Sequence, residues 1–339
     1  MRSVFLAISL PALCAAFRTP TPVTPRVRPI ALAASADATC NDPNEASVIN
    51  KFRASKLVVF SGASLFALAN GGPPLTQGNV LTALGGCIAC TLPGLADAHA
   101  AVSYGYGLAM CFHAACVARL SPASVASGGL LLAAYALYGI KVCAFQAARD
   151  LEPGYQKKVL SVNRNKRPGG PLSRLPLVVG VGTLLSTFLF PLFAVGCPAA
   201  PLGPRAASAI TLGGATALGG LAFQTLADVQ KFTFKKANGA DVPMLATGVW
   251  RLCRHPNYLG EIIFHLGLLL AAAAASLAAR SAALLWLTSL APVTFISIML
   301  GSTAGLERRQ KEAYAKNEEY EAYLRETPRL IPGVALGGK

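Results

Sequence analysis

Residues 281–305 read SAALLWLTSLAPVTFISIMLGSTAG, a run of 25 positions without one charged side chain. Wound as a helix it extends about 37 Å, more than the roughly 30 Å hydrocarbon core of a bilayer. The stretch before it, residues 258–278, reads YLGEIIFHLGLLLAAAAASLA and holds a single acid, Glu261. Working towards the N-terminus, further apolar stretches cover 207–226, 175–196, 125–147, 99–118, 79–97 and 57–70. The six from residue 99 onwards are long enough to span; the other two are Gly-rich, and 57–70 is short. The expected fold is therefore all-α: a polytopic integral membrane bundle of about six to eight transmembrane helices over residues 57–305, with a helical tail at 306–339.

Composition agrees. The 339 residues are 53% hydrophobic and 13% charged, with a mean hydropathy of +0.49. Soluble domains carry about 25% charged residues, so this chain has too little charge to clothe a water-facing surface. The net charge of +15 comes from 30 Lys and Arg against 15 Asp and Glu. Its distribution follows the spans. Arg149, Lys157, Lys158, Arg164, Lys166, Arg167 and Arg174 lie in 148–174; Lys231, Lys235, Lys236, Arg251 and Arg254 lie in 227–257; the tail carries Arg308, Arg309, Lys311, Lys316, Arg325, Arg329 and Lys339. Two spans separate each of these segments from the next, which places all three on one face, as the positive-inside rule requires. The charge suits anionic lipid heads first, and it is compatible with a site for a phosphate-bearing cofactor. Nucleic acid is not an expected partner, because the basic residues sit in short loops between apolar helices.

Of nine cysteines, Cys87, Cys90, Cys111, Cys116 and Cys143 lie inside apolar stretches, where a free thiol is a small hydrophobe. Cys87-x-x-Cys90 has no second pair and no nearby His, so neither a metal nor a redox role is expected of it. Residues 1–16 read as a signal peptide: Arg2, an apolar run from Val4 to Leu13, then Cys14-Ala15-Ala16. Phe17 opens an acid-free segment with Arg18, Arg26 and Arg28, so 17–38 reads as a plastid transit segment and 39–56 as a linker. The leader predicts a secondary-plastid membrane; an ordinary secretory signal would instead leave the protein in the endoplasmic reticulum membrane.

Three segments on the basic face are unlike the rest. In the first, Gln224, Asp228, Lys231 and Lys235 fall on one face if the helix continues out of the membrane. Such a stripe either points into the bundle or marks a snorkelling helix end. The second is GVWRLCRHPNYLGE, residues 248–261, running into an apolar helix. Pro256 suits a first helical turn, and a helix start with Arg251, Arg254 and His255 beside it is built to hold a pyrophosphate. Glu261, bordering hydrocarbon, is costly unless it has a task; an Arg–Glu pair fixing the loop is the alternative. In the third, Glu307/Lys311, Glu312/Lys316 and Glu321/Arg325 are i,i+4 pairs of a solvated helix ending at Pro328.

ADVQKFTFK, GVWRLCRHPNYLGE and ERRQKEAYAKNEEYEAYLRETPRLIP, in this order, resemble the C-terminal half of the steroid 5α-reductase-like membrane family, in particular its microbial and algal branch. The resemblance covers about 220–332, is faint over 125–150 and is absent before 120. RHPNYLG is also similar to sterol C14-reductases, and more loosely to isoprenylcysteine carboxyl methyltransferases. The resemblance implies a bundle binding NADPH at its cytosolic-type face and reducing a carbon–carbon double bond conjugated to a carbonyl in a lipophilic substrate. Carried over, Asp228, Lys235, Arg254, Asn257, Glu261 and Arg308 line the cofactor site with Gln224 and Tyr258 beside them. Arg251 and His255 add charge, and Glu261 and Tyr258 are the expected catalytic pair, with a buried carboxyl donating a hydrogen bond to the carbonyl. The family's substrate-holding Glu and Tyr come from N-terminal helices, where this chain offers Asp97, Tyr104 and Tyr106 without a matching motif. A His and a Tyr of the family's C-terminal helix fall at Glu312 and Lys316. An S-adenosylmethionine-dependent methyltransferase and a non-catalytic membrane protein are the alternatives; Arg308, where the methyltransferases carry a second Glu after the position of Glu307, argues against the former.

Overall fold

The computed structural model describes residues 77–120, 124–152, 170–198, 201–238, 245–314 and 317–332. The leader, the linker and the apolar stretch 57–70 lie outside the described residues, as do 153–169 and 239–244 of the two basic loops. The described chain is helical: α1 (Gln77–Thr91), α2 (Ala98–Leu120), α3 (Ser124–Asp150), α4 (Leu175–Ser186), α5 (Leu189–Gly196), α6 (Pro204–Asn238), α7 (Pro256–Ala278), α8 (Ala282–Ala313) and α9 (Glu318–Glu326), with 3-10 turns at Leu92–Leu95, Pro171–Arg174 and Gly248–Arg251. Among the described residues, six helical segments are long and apolar enough to cross a membrane: Ala98–Arg119, Gly128–Asp150, Pro171–Gly196, Pro204–Asn238, Pro256–Ala278 and Ala282–Ala313. The stretch expected at 79–97 forms a shorter apolar helix, Val80–Leu95. α4 and α5 act as one span broken at Thr187 and Phe188, and every residue of α5 is buried.

The most extensive contact in the bundle joins α6 to α7. It depends on glycine: a Cβ at Gly260 would lie 2.6 Å from the backbone nitrogen of Gln224, and one at Gly213 would lie 2.7 Å from both the nitrogen of Ala271 and the oxygen of Gly267. Without a driving force between apolar helices in lipid, small residues that let backbones touch are what hold them together. α2 and α3 meet in the same way at Gly107 and Gly139, where a Cβ on Gly107 would come within 2.8 Å of the Gly139 carbonyl.

Two helices run further than hydropathy alone marks. α6 continues to Asn238, so the stripe from Gln224 to Lys235 is helical throughout. α8 continues from the last apolar stretch to Ala313, and the tail's second helix starts afresh at Glu318, where the Asn317 side chain caps the Tyr320 N–H at 2.9 Å. Contacts between helix ends gather the basic segments together. Tyr104 at the start of α2 donates to Asp150 at the end of α3 (2.7 Å), Lys236 of α6 lies 3.9 Å from Glu152, and Arg254 before α7 pairs with Glu307 of α8. These juxtapositions follow the charge distribution read from the sequence.

Candidate active site

α7 begins at Pro256, whose missing N–H costs nothing in a first turn. Five residues later, about 7.5 Å along the axis, Glu261 is 4% exposed. The reason it stands there is a ring of partners. Tyr138 of α3 donates to Oε1 at 2.5 Å, and the side-chain N–H of Gln224, on α6, donates to Oε2. His265, one turn further along α7, places Nε2 3.3 Å from Oε1. Tyr106 of α2 lies 3.2 Å from His265 Nε2 and 3.5 Å from Oε1. The glycine contacts explain the convergence. Tyr106 precedes Gly107, Tyr138 precedes Gly139 and Glu261 follows Gly260, so each polar side chain leaves its helix beside a close backbone contact. Aromatic rings close the nest: Phe295 lies 4.9 Å from Tyr106, Phe264 4.5 Å from Tyr138 and Phe188 5.6 Å from His265.

This geometry revises one expectation. A donating carboxyl was expected, whereas the Glu261 oxygens accept here from Tyr138 and Gln224. Tyr258, the other residue expected to be catalytic, packs on His255, 5.7 Å between ring centroids, within electrostatic reach of Arg309, Asp228, Arg149 and Glu261.

The rim is a second assembly. Asp228 pairs with Lys141 of α3 at 2.5 Å, both side chains nearly buried. Arg254 donates from Nε to Glu307 at 2.8 Å and from Nη1 to the carbonyls of Leu324 and Thr327 at 2.9 and 2.5 Å, with Nη2 2.8 Å from Glu307. Its backbone N–H also donates to Pro328. Most of its donors thus tie the tail to the start of α7, the loop-fixing role anticipated for an Arg–Glu pair, with Glu307 as the acid in place of Glu261. His255 shares Glu307 at 3.3 Å. Burial, with Lys231 and Arg254 nearby, holds the His255 imidazole below its usual range against the pull of Glu307. Tyr323 donates to the Trp250 carbonyl (3.2 Å), and burial raises its phenol. The Trp250 indole in turn donates to Ala227 at 3.1 Å, with Lys231 over its ring. Arg251 and Arg308 are exposed, and Lys235 and Asn257 are half-buried at the same rim.

Of the residues singled out by sequence, Gln224 and Glu261 meet in the nest, and Arg254 and His255 meet on Glu307. Tyr106, Tyr138, His265, Lys141 and Glu307 complete the two assemblies without having been assigned to them. His265 alone carried a local signal, a polar side chain one turn after Glu261 on the same face. Cys87, which has no histidine near it in the sequence, meets one in the fold: His113 Nε2, on α2, lies 3.3 Å from its sulfur.

The nest also allows a test of cofactor fit. The hydrogen bond to Glu261 is made by the nitrogen of the Gln224 amide, and its buried Oε1 has no partner among the described residues. It is suited to accept from a carboxamide N–H, the group a nicotinamide carries, and the exposed cations of the rim suit phosphates.

A family model described as "Protein of unknown function (DUF1295)" matches residues 99–327. The match reaches back to α2, beyond the resemblance read from the motifs, and takes in every residue of the nest. No curated protein and no solved structure matches the chain.

Proposed function

The chain belongs to the DUF1295 family, whose activity its description leaves open, and from that premise we propose that it is a membrane-embedded, NADPH-dependent reductase of a carbon–carbon double bond conjugated to a carbonyl in a lipophilic substrate. The observation that carries this reading is the convergence of two tyrosine hydroxyls on a buried carboxylate inside a membrane bundle, directly below a cationic rim. Ionisable groups at such depth are functional by default. The likeness of residues 220–332 to steroid 5α-reductase-like proteins adds to it, and so does the unpartnered Gln224 oxygen.

In this reading NADPH supplies the hydride when bound. The chain's own residues do the rest. Arg251, Lys235 and Arg308 hold phosphates at the rim, while Arg254 acts as a strut that fixes the start of α7 against the tail. Gln224 orients the carboxamide through Oε1. A hydrogen bond from a tyrosine hydroxyl draws charge onto the substrate oxygen, which makes the β-carbon electrophilic. Aromatic walls exclude water from the place where charge develops. The bilayer is the route of entry for the substrate. The leader composition of residues 1–38 supports a secondary-plastid membrane as the location of this activity, with the endoplasmic reticulum membrane as the alternative.

The test is ligand-dependent thermal stabilisation of the detergent-purified protein by NADPH, NADH and S-adenosylmethionine. Stabilisation by NADPH at the lowest concentration supports the reading. Stabilisation by S-adenosylmethionine alone replaces it with a methyltransferase.

A further inference from the structure

We propose that His265 is a positioning residue that gives the two tyrosines different tasks: it leaves Tyr138 bound to Glu261 and frees the Tyr106 hydroxyl to donate to the ligand's carbonyl oxygen. The inference rests on the reading that the nest receives a carbonyl.

The distances separate the tyrosines. Tyr138 reaches Glu261 Oε1 at 2.5 Å, so its single hydrogen is committed to the carboxylate. Tyr106 lies 3.5 Å from the same oxygen, beyond the length of an O–H···O bond. Its near neighbour is His265 Nε2 at 3.2 Å. A bare lone pair on Nε2 would face the Glu261 oxygen at 3.3 Å and be repelled by it, so the hydrogen resides on Nε2. Nε2–H then points into the gap between Glu261 and the Tyr106 oxygen. Tyr106 is left as the acceptor of that contact, and its own hydrogen is left to the hydroxyl oxygen of Tyr138 beside it, a neutral acceptor that a ligand's carbonyl oxygen replaces. Nδ1, the other nitrogen, is buried without a partner among the described residues, so none of them competes there for the tautomer.

Packing keeps this arrangement in place. His265 is 0% exposed, and its ring lies 5.2 Å from Phe295 and 5.3 Å from Phe264. Tyr106 is held by Phe295 and by Tyr138, 5.0 Å away. Neither ring can swing to exchange partners without moving the other. A donor fixed in direction before the ligand arrives needs no reorganisation when charge develops on the oxygen.

Two measurements on the full-length, detergent-purified protein decide it. The first is 15N NMR of labelled histidine in the parent and in His265→Leu, which assigns the His265 signals, and in Tyr106→Phe. A protonated Nε2 and a bare Nδ1 are expected, with the Nε2 signal moving in Tyr106→Phe; a protonated Nδ1 overturns the inference. The second is a double-mutant cycle on NADPH-driven reduction of progesterone, used as a conjugated-ketone probe. His265→Leu is expected to lower kcat about ten- to hundredfold with the Kd for NADPH unchanged. His265→Gln, which keeps an N–H near the Nε2 position, is expected to recover part of the loss. In a Tyr106→Phe background the His265→Leu effect is expected to vanish. Additive losses, or a Gln variant as poor as the Leu variant, overturn the inference. If the parent binds no NADPH while the expected tautomer and its Tyr106 dependence are seen, the reductase reading alone fails and the positioning role stands.

Discussion

Tyr138 Oη lies 2.5 Å from Glu261 Oε1, although the two residues are 123 positions apart in the chain. The contact crosses from α3 to α7 and ties the buried carboxylate to a part of the bundle where the resemblance to known reductases is faint. Charge-assisted hydrogen bonds of this kind are the strong ones, and removing the acceptor leaves the buried donors facing nothing.

Replacing Glu261 with Gln therefore has two effects. The new amide cannot accept from Tyr138 and Gln224 at once, so a buried donor loses its partner at a cost of about 1–3 kcal/mol. Turnover falls further than stability, because the direction of the Tyr138 hydroxyl depends on the carboxylate itself and that of Tyr106 depends on it through His265. Thermal unfolding and initial rates, measured on the same preparation, separate the two.

The closeness of α6 and α7 is itself open to test. An added Cβ at Gly260 meets the Gln224 backbone 2.6 Å away, and backbone cannot step aside as a side chain does. Gly260→Ala is expected to destabilise by about 1–3 kcal/mol and to weaken the Gln224–Glu261 contact with it. Gly301→Ala, where a Cβ meets nothing within 4 Å, is the control, and its melting temperature is expected to stay near that of the parent.

Arg254 and Arg251 separate structure from cofactor binding. Arg254→Ala breaks a nearly buried pair with Glu307 and frees the tail, a loss of about 3–5 kcal/mol. Limited proteolysis within 317–332 is expected to speed up. Arg254→Lys restores only part, since an ammonium cannot reach Glu307 and two carbonyls as a guanidinium does. Arg251→Ala leaves the melting temperature alone and weakens NADPH binding about tenfold.

Acidification acts on His255. Its folded-state pKa lies below the usual 6.5 because it is buried, so below that value the unfolded chain takes up the proton first. Its contribution to stability is present above pH 6.5 and is lost as pH falls towards the folded value. The melting temperature of the parent is expected to drop more steeply than that of His255→Gln as pH is lowered from 7. Parallel curves would remove His255 as the cause.

The sequence carried the spans well because lipid imposes one rule on long stretches: apolar side chains and internally satisfied backbone. It carried the rim in part, since Arg254, His255 and Pro256 are neighbours in one motif. The nest was largely hidden. Tyr106 and Tyr138 sit in apolar helices where a tyrosine has many uses, and nothing local points either one at Glu261. Their meeting depends on Gly107, Gly139 and Gly260, contacts between helices that no period reveals. Glu307 was misplaced for a similar reason: its i+4 lysine suggested a solvated pair, whereas α8 turns it inward to Arg254 and His255.

The central claim, hydride transfer to a lipophilic enone, is tested most directly by isotope. The purified protein is incubated with a total membrane-lipid extract and NADPH deuterated at C4 of the nicotinamide, and the lipids are analysed by mass spectrometry. The account predicts a saturated product carrying one carbon-bound deuterium, absent with Glu261→Gln. Transfer of a labelled methyl group from S-adenosylmethionine, with no deuterium transfer from NADPH, would contradict it.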